Sequence, residues 1–290
     1  MGKMLQMGLF NRKSKMENKA GYPGRETEQL MPGKITKEKC GFQIGNTHHI
    51  GRRNNQQDSF AISNVSEPEY YEEKGVFAVV ADGMGGLSHG EDISAIVASS
   101  MLRYFNETPM EEDTGIRLLH MLTFANDQVN QYLYDGEKDL AGSTVVSVII
   151  KNQELYWLSV GDSRIYLIRN KTVLQLNREH IYQVDLDEKA SLGEISYDEA
   201  KNDPQRSALT SYIGMGTIEK IDRNIRPLML APQDRLLLMS DGIFGALSDE
   251  EILSAMNMQP MESAARIEQM ILEKNLLNQD NFTGVIIEID

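Results

Sequence analysis

Five short aspartate-bearing segments, spread over more than two hundred residues, constrain this chain as a set: Gln57-Asp58, Asp82-Gly83-Met84-Gly85-Gly86, Gly161-Asp162-Ser163-Arg164, Ser240-Asp241-Gly242 and Asp280-Asn281. Hard divalent cations such as Mg²⁺ and Mn²⁺ take oxygen ligands in near-octahedral geometry. Carboxylates held at strand ends supply such ligands while leaving room for water. A site of that kind is suited to hydrolysing phosphate esters.

The apolar pattern places these aspartates at strand ends. Gly75 to Val80 reads as a buried strand running into Asp82, Leu236 to Met239 leads into Asp241 in the same way, and Val285 to Ile289 forms a final strand after Asp280. Thr144 to Ile150, Leu155 to Val160 and Arg164 to Ile168 read as successive antiparallel strands. Their turns fall at Asn152-Gln153 and Gly161-Asp162, which puts Asp162 at a strand end. Apolar residues recur at helical spacing over His89 to Phe105 and Ile116 to Leu133, and shorter helices are expected at about 249 to 256 and 261 to 275. Strands and helices show no regular βαβ alternation, which favours packed layers.

Composition narrows the setting. The 290 residues, 41% hydrophobic and 25% charged, suit a soluble chain of one large domain or two small ones. No apolar run approaches the roughly 18 residues of a membrane span, the start lacks a secretory apolar stretch, and Gln6 breaks the N-myristoylation pattern. A cytoplasmic location is expected. The single cysteine, Cys40, cannot form an internal disulfide, and a cysteine-phosphatase loop would need an arginine at Asn46; it reads as structural.

Charge is uneven. Residues 1–40 carry nine Lys or Arg against four acids and several Gly and Pro, and read as a flexible basic extension; the remaining 41–290 carry 20 basic against 39 acidic residues. So acidic a body excludes nucleic acid as its partner, because phosphate backbones bind through basic surface.

In order along the chain stand Arg53 five residues before Asp58, then Asp82-Gly83-Met84-Gly85-Gly86, Gly142-Ser143-Thr144, Gly161-Asp162-Ser163-Arg164, Leu209-Thr210 with Gly214, Ser240-Asp241-Gly242 and Asp280-Asn281-Phe282-Thr283. This series resembles the motifs of the metal-dependent protein phosphatases, the PPM or type 2C family, in its bacterial form. The resemblance covers about residues 41–290. It implies an α/β fold of the α+β type: a four-layer α-β-β-α sandwich, two antiparallel sheets flanked by helices, with a metal site at one end between the sheets. It also implies hydrolysis of phosphoserine and phosphothreonine in proteins by metal-activated water at a two-metal site, with a serine/threonine kinase as natural counterpart.

On that resemblance Asp82 bridges two Mn²⁺ or Mg²⁺ ions, the Gly83 carbonyl completes one ion's ligands, and Asp241 and Asp280 are the remaining carboxylate ligands. Asp58 matches a residue touching metal-bound waters. Arg53 matches a phosphate-gripping arginine, and its planar fork suits phosphate oxygens; taken alone it reads as a surface arginine. Asp162 has two readings, sharing a third, weaker ion with Asp241 or bonding its own backbone as a turn residue. Residues 181–207 match a mobile flap, where Asp185 and Asp187 read as solvated.

This chain departs from the family pattern in places. Met84 stands where many eukaryotic relatives carry a histidine resembling a general acid, and methionine donates no proton. His48, His49, His89 and His180 are alternatives, although a lone histidine is more often structural. Gln56 and the run Asn177-Arg178-Glu179-His180 differ from common bacterial patterns. No Gly-x-Ser-x-Gly elbow and no Gly-x-x-x-x-Gly-Lys-Ser/Thr loop is present. Two rival functions remain open to sequence reasoning: a pseudophosphatase that binds without turnover, and a regulatory phosphatase for a single phosphorylated switch protein.

Overall fold

Val76, Ala78 and Val80 pack into one hydrophobic cluster, while Phe77, Val79 and Ala81, alternating with them on the same strand, pack into another. A strand buried on both faces reads as an unbroken apolar run, because neither set of alternating side chains meets water. The computed structural model describes residues 41–85, 89–109, 113–135 and 141–290. The basic extension 1–40 with Cys40, and Gly86 of the second aspartate segment, lie outside the described residues.

The strands are β1 Phe42–His49, β2 Asp58–Ile62, β3 Val76–Met84, β4 Gly142–Ser143, β5 Val145–Lys151, β6 Glu154–Val160, β7 Arg164–Arg169, β8 Thr172–Gln175, β9 Asp222–Arg223, β10 Leu228–Met229, β11 Arg235–Met239 and β12 Phe282–Ile289. The helices are α1 Pro68–Lys74, α2 His89–Glu107, α3 Thr114–Asp135, α4 Tyr182–Ser191, α5 Tyr197–Asn202, α6 Asp241–Phe244, α7 Asp249–Ala255 and α8 Pro260–Lys274. One sheet runs β1-β12-β11-β7-β8; the other runs β10-β6-β5-β3-β2, with β9 on β6 and β4 on β3. Every pairing is antiparallel.

The period of two along the strands sorts the core into three clusters between four layers. Val80, Val148, Ile165, Leu238 and Val285 fill the space between the sheets. The second sheet's outer face, with Phe77, Val145 and Leu158, buries Val97, Met101, Leu122 and Val129 of α2 and α3. The first sheet's outer face, with Tyr166, Leu237 and Ile286, buries Ile252, Ala264, Ile267 and Ile271 of α7 and α8. This is the α-β-β-α sandwich, two antiparallel sheets flanked by helices, that the sequence resemblance implies.

Two details position the site. The hairpin joining β5 to β6 turns on Asn152 and Gln153, both at positive φ (54° and 66°), the backbone a two-residue turn of this twist requires. Gly161, at φ 100°, turns the chain between β6 and β7 immediately before Asp162; glycine adopts that conformation without a Cβ penalty.

The boundaries shift from expectation in instructive ways. β3 does not stop before Asp82 but continues through Gly83 to Met84, so Asp82 lies inside a strand, opposite Asp58 on β2. Asp241 opens the short helix α6 instead of ending a strand. Over 181–207 stand α4 and α5, which share a small core of Leu186, Ala190 and Ala200.

Candidate active site

Both sheets contribute to a single acidic cavity of about 290 Å³. Asp82 and Gly83 come from β3, Asp162 follows β6, Asp241 follows β11, and Asp280 precedes β12; Arg53, from the loop between β1 and β2, stands among them. Asp162, Asp241 and Asp280 sit beside the ends of buried strands and Asp82 lies at the end of β3's pairing with β2, so each carboxylate is carried by anchored backbone at the opening.

Hydrogen bonds fix these backbones. Thr144 N–H donates to the Asp82 carbonyl at 2.8 Å, and Ser143 Oγ donates to the same carbonyl at 3.0 Å. Thr144 Oγ1 accepts from Asp82 N–H at 3.2 Å and lies 2.7 Å from Ser163 Oγ, linking the strand of Asp82 to the turn of Asp162. Gly83 N–H donates to the Gln57 carbonyl at 2.9 Å. A Cβ on Gly83 would meet that same carbonyl oxygen at 2.5 Å, so the approach of the two backbones admits only glycine.

Asn281 braces the other side. Its Nδ2 donates to the carbonyls of Ile50 (2.8 Å) and Asn55 (3.0 Å), and its Oδ1 accepts from Gln57 N–H at 2.8 Å. The loop carrying Arg53 is thereby tied to the residue after Asp280. Arg53 Nη2 donates to Asp280 Oδ2 at 2.5 Å. Its side chain keeps 55% of its surface exposed, so the guanidinium reaches the cavity from the solvent edge.

Asp58 is placed differently from the others. It is 3% exposed, is not among the residues lining the cavity, and accepts a hydrogen bond of 2.7 Å from Ser240 Oγ. Thr283 also bonds its carboxylate. Asp58 therefore stands behind the lining, between the two sheets.

The electrostatics are those of crowded, buried carboxylates with little compensating charge. Burial pushes Asp58 up to about 6, with the charges of Asp241 and Asp280 adding to the rise and the bonds from Ser240 and Thr283 opposing it. Burial, then Asp58, Asp241, Asp162 and Asp280, raises Asp82 well above the ordinary carboxylate range. Burial and Asp241 push Asp162 up to about 6, opposed by a hydrogen bond from its own backbone. The bond from its own backbone is the one expected of a turn aspartate, and the charge of Asp241 acts on the same carboxylate. Burial and Asp280 also raise Asp241, against the pull of Arg53.

Among the described residues no group of three or more His, Cys, Asp or Glu side chains is arranged to hold a metal ion. The donor chemistry nevertheless fits hard divalent cations: four carboxylates line one cavity and repel one another, and a cation is what relieves such repulsion. No histidine lines the cavity. His48 bonds Thr283, His49 accepts from Gly51 N–H, and His180 Nδ1 accepts from Gly161 N–H. Asp185 pairs with Lys220 and Asp187 with Arg206, away from the lining.

Sequence reasoning gave no role to Gln57, Thr144, Leu209 or Asn281, all of which line the cavity. Thr144, Leu209 and Asn281 lay within the ordered motifs, and that position was the signal available. What they bond to or pack against is set by partners far along the chain.

Comparison with known proteins extends this. The sequence profile of the protein phosphatase 2C family matches residues 45–279. A serine/threonine phosphatase of Listeria welshimeri serovar 6b is 29% identical over 216 residues, covering 72% of this chain and 83% of that protein. The crystal structure of the PPM Ser-Thr phosphatase MsPP from Mycobacterium smegmatis, in complex with cacodylate, superposes with a TM-score of 0.67 at 27% identity, over 84% of this chain and 97% of that one. The catalytic domain of the phosphatase PstP, in complex with two manganese ions, shares the fold at a TM-score of 0.67 and 23% identity, over 86% of this chain and 99% of that domain.

Proposed function

This chain belongs to the protein phosphatase 2C family, and from that membership we propose that it is a metal-dependent protein serine/threonine phosphatase whose active site is the acidic cavity between the sheets. The observation that carries the assignment to this site is the convergence of Asp82, Asp162, Asp241 and Asp280 with Arg53 on one opening. The substrates are phosphorylated proteins, and the reaction is hydrolysis of a phosphoserine or phosphothreonine ester.

Asp82, Asp241, Asp280 and the Gly83 carbonyl are the residues to hold two Mn²⁺ or Mg²⁺ ions, and Asp162 with Asp241 suits a third, weaker one. Such ions, when bound, lower the pKa of water and neutralise charge on a phosphoryl group. The chain's own residues do the positioning. Arg53 presents a planar fork to phosphate oxygens at the cavity edge, where two parallel N–H donors fix the phosphoryl group's orientation. Asp58, held by Ser240 and Thr283, orients what the lining carboxylates hold. Thr144 keeps the backbone of Asp82 from shifting, and Asn281 N–H steadies the Asp280 carboxylate by donating to Oδ1 at 2.8 Å.

We place the phosphatase domain at 41–290, with 1–40 as a basic extension of it, the enzyme in the cytoplasm, and a serine/threonine kinase as its counterpart on the same substrates. No described helix is long and apolar enough to cross a membrane. The test is phosphate release from a phosphothreonine peptide with Mn²⁺, with chelator, and with Asp241→Asn. Release that disappears in both controls is expected; release that survives chelation overturns the metal-dependent reading.

A further inference from the structure

Met84, Gly85 and Leu209 line the acidic cavity on one side and, on the other, a second hollow of about 320 Å³. Ala141, Gly142 and Tyr212 complete that hollow among the described residues, and none of the described residues lining it carries a charge. An acidic chamber and an uncharged one thus share a wall.

The second hollow is built from anchored backbone. Leu209 bridges Ile181, and Ile213 and Ser143 exchange N–H···O bonds of 2.9 and 3.0 Å, so the segment carrying Leu209 and Tyr212 is held at both ends. Its floor is close-fitting: a Cβ on Gly142 would lie 2.7 Å from the Ile213 carbonyl oxygen and 2.9 Å from the Met84 methyl. Glycine there leaves the space that a larger residue would fill.

We infer that this hollow is a subsite for an apolar side chain of the phosphoprotein substrate, within two residues of the phosphorylated serine or threonine; the inference rests on the phosphatase reading above. A protein substrate must continue past the phosphorylated residue. Successive Cα atoms stand about 3.8 Å apart, and in an extended chain residues two apart share a face at about 7 Å. A phosphoryl group in the acidic cavity therefore brings a near neighbour to the shared wall. An apolar side chain there removes Met84, Leu209 and Tyr212 from water. A polar one would leave its own hydration with no charged partner among the described residues of the hollow. Discrimination by an apolar pocket of this kind is worth about tenfold to a hundredfold in kcat/KM; a half-open one sits at the low end.

The test uses the full chain with Mn²⁺ and phosphothreonine peptides carrying leucine or glutamine at each of the two positions on either side. Leucine at one position is expected to raise kcat/KM by about tenfold over glutamine, chiefly through KM. Tyr212→Asp should reduce that advantage to about twofold or less, and Tyr212→Phe, which keeps the apolar wall, should retain it. Equal rates for leucine and glutamine at all four positions in the unaltered protein would overturn the inference, whether or not the variants fold. So would a leucine advantage untouched in folded Tyr212→Asp. Absence of metal-dependent release from every peptide would instead sink the phosphatase reading itself.

Discussion

Ser240 Oγ donates to Asp58 Oδ2 at 2.7 Å across the interior, joining the end of β11 in one sheet to the start of β2 in the other. The same hydroxyl oxygen accepts from Thr283 N–H at 3.0 Å. Ser240→Ala removes one donor and one acceptor from a site with no exposure to water. The expected loss is about 1–3 kcal/mol of stability in urea unfolding, with a fall in kcat as Asp58 loses its orientation. Unchanged stability and kcat would show that this contact carries neither.

The carboxylate crowding predicts an unusual pH dependence for the metal-free protein. Asp58 and Asp162 have folded-state values near 6, above the ordinary 3.8. The folded state holds these protons more tightly than the unfolded one, so the two groups favour folding at low pH. That contribution is lost as pH rises through about 6. With chelator present, Asp58→Asn should flatten the decline in stability between about pH 4.5 and 7; His48, lowered by partial desolvation and the neighbouring His49, and buried His180, lowered by desolvation, act in the opposite sense and remain in both proteins. Saturating Mn²⁺ should reverse the trend, since cations compete with those protons. A metal-free pH profile identical in the variant would refute the assignment.

Gly83→Ala tests the approach of β3 to the Gln57 carbonyl, where a Cβ would come within 2.5 Å. Backbone on the far side cannot swing away as a side-chain tip would. We expect a loss of about 2–4 kcal/mol and weaker Mn²⁺ binding by isothermal titration, because the carbonyl next to Asp82 must move. A variant with native stability and affinity would mean the backbone relaxes without consequence.

Asn281→Ala removes two donors to the Ile50 and Asn55 carbonyls and one acceptor for Gln57 N–H. The loop bearing Arg53 loses its tie to the Asp280 segment. KM for a phosphopeptide should rise by about tenfold while kcat changes less, the signature of lost binding. A change confined to kcat would place Asn281 in the chemistry and not in holding the loop.

Much of this architecture was legible because burial on both faces makes a strand an uninterrupted apolar run, as in Val76 to Ala81 and Leu236 to Met239. The positive-φ hairpin at Asn152-Gln153 was legible because its residue types suit the turn. β1 was not: an edge strand of sequence Phe-Gln-Ile-Gly-Asn-Thr-His-His is only partly buried, and its pairing to β12 depends on residues more than two hundred positions away. α4 and α5 share only a three-residue buried core, too small a stripe for periodicity to announce. The aspartates could be named as a set from their motifs. Distance along the chain hid that Asp58 stands behind the others and that Arg53 pairs with Asp280.

Phe42 lies opposite Ile289, so β1 hydrogen-bonds to β12, which in turn separates β1 from β11. During synthesis β1 leaves the ribosome with its neighbour still untranslated, and Asp280 joins the other carboxylates only as that neighbour emerges. A nascent chain stalled before residue 282 would be catalytically silent whatever portion had already folded, and phosphate turnover would begin only when β12 takes its place between β1 and β11.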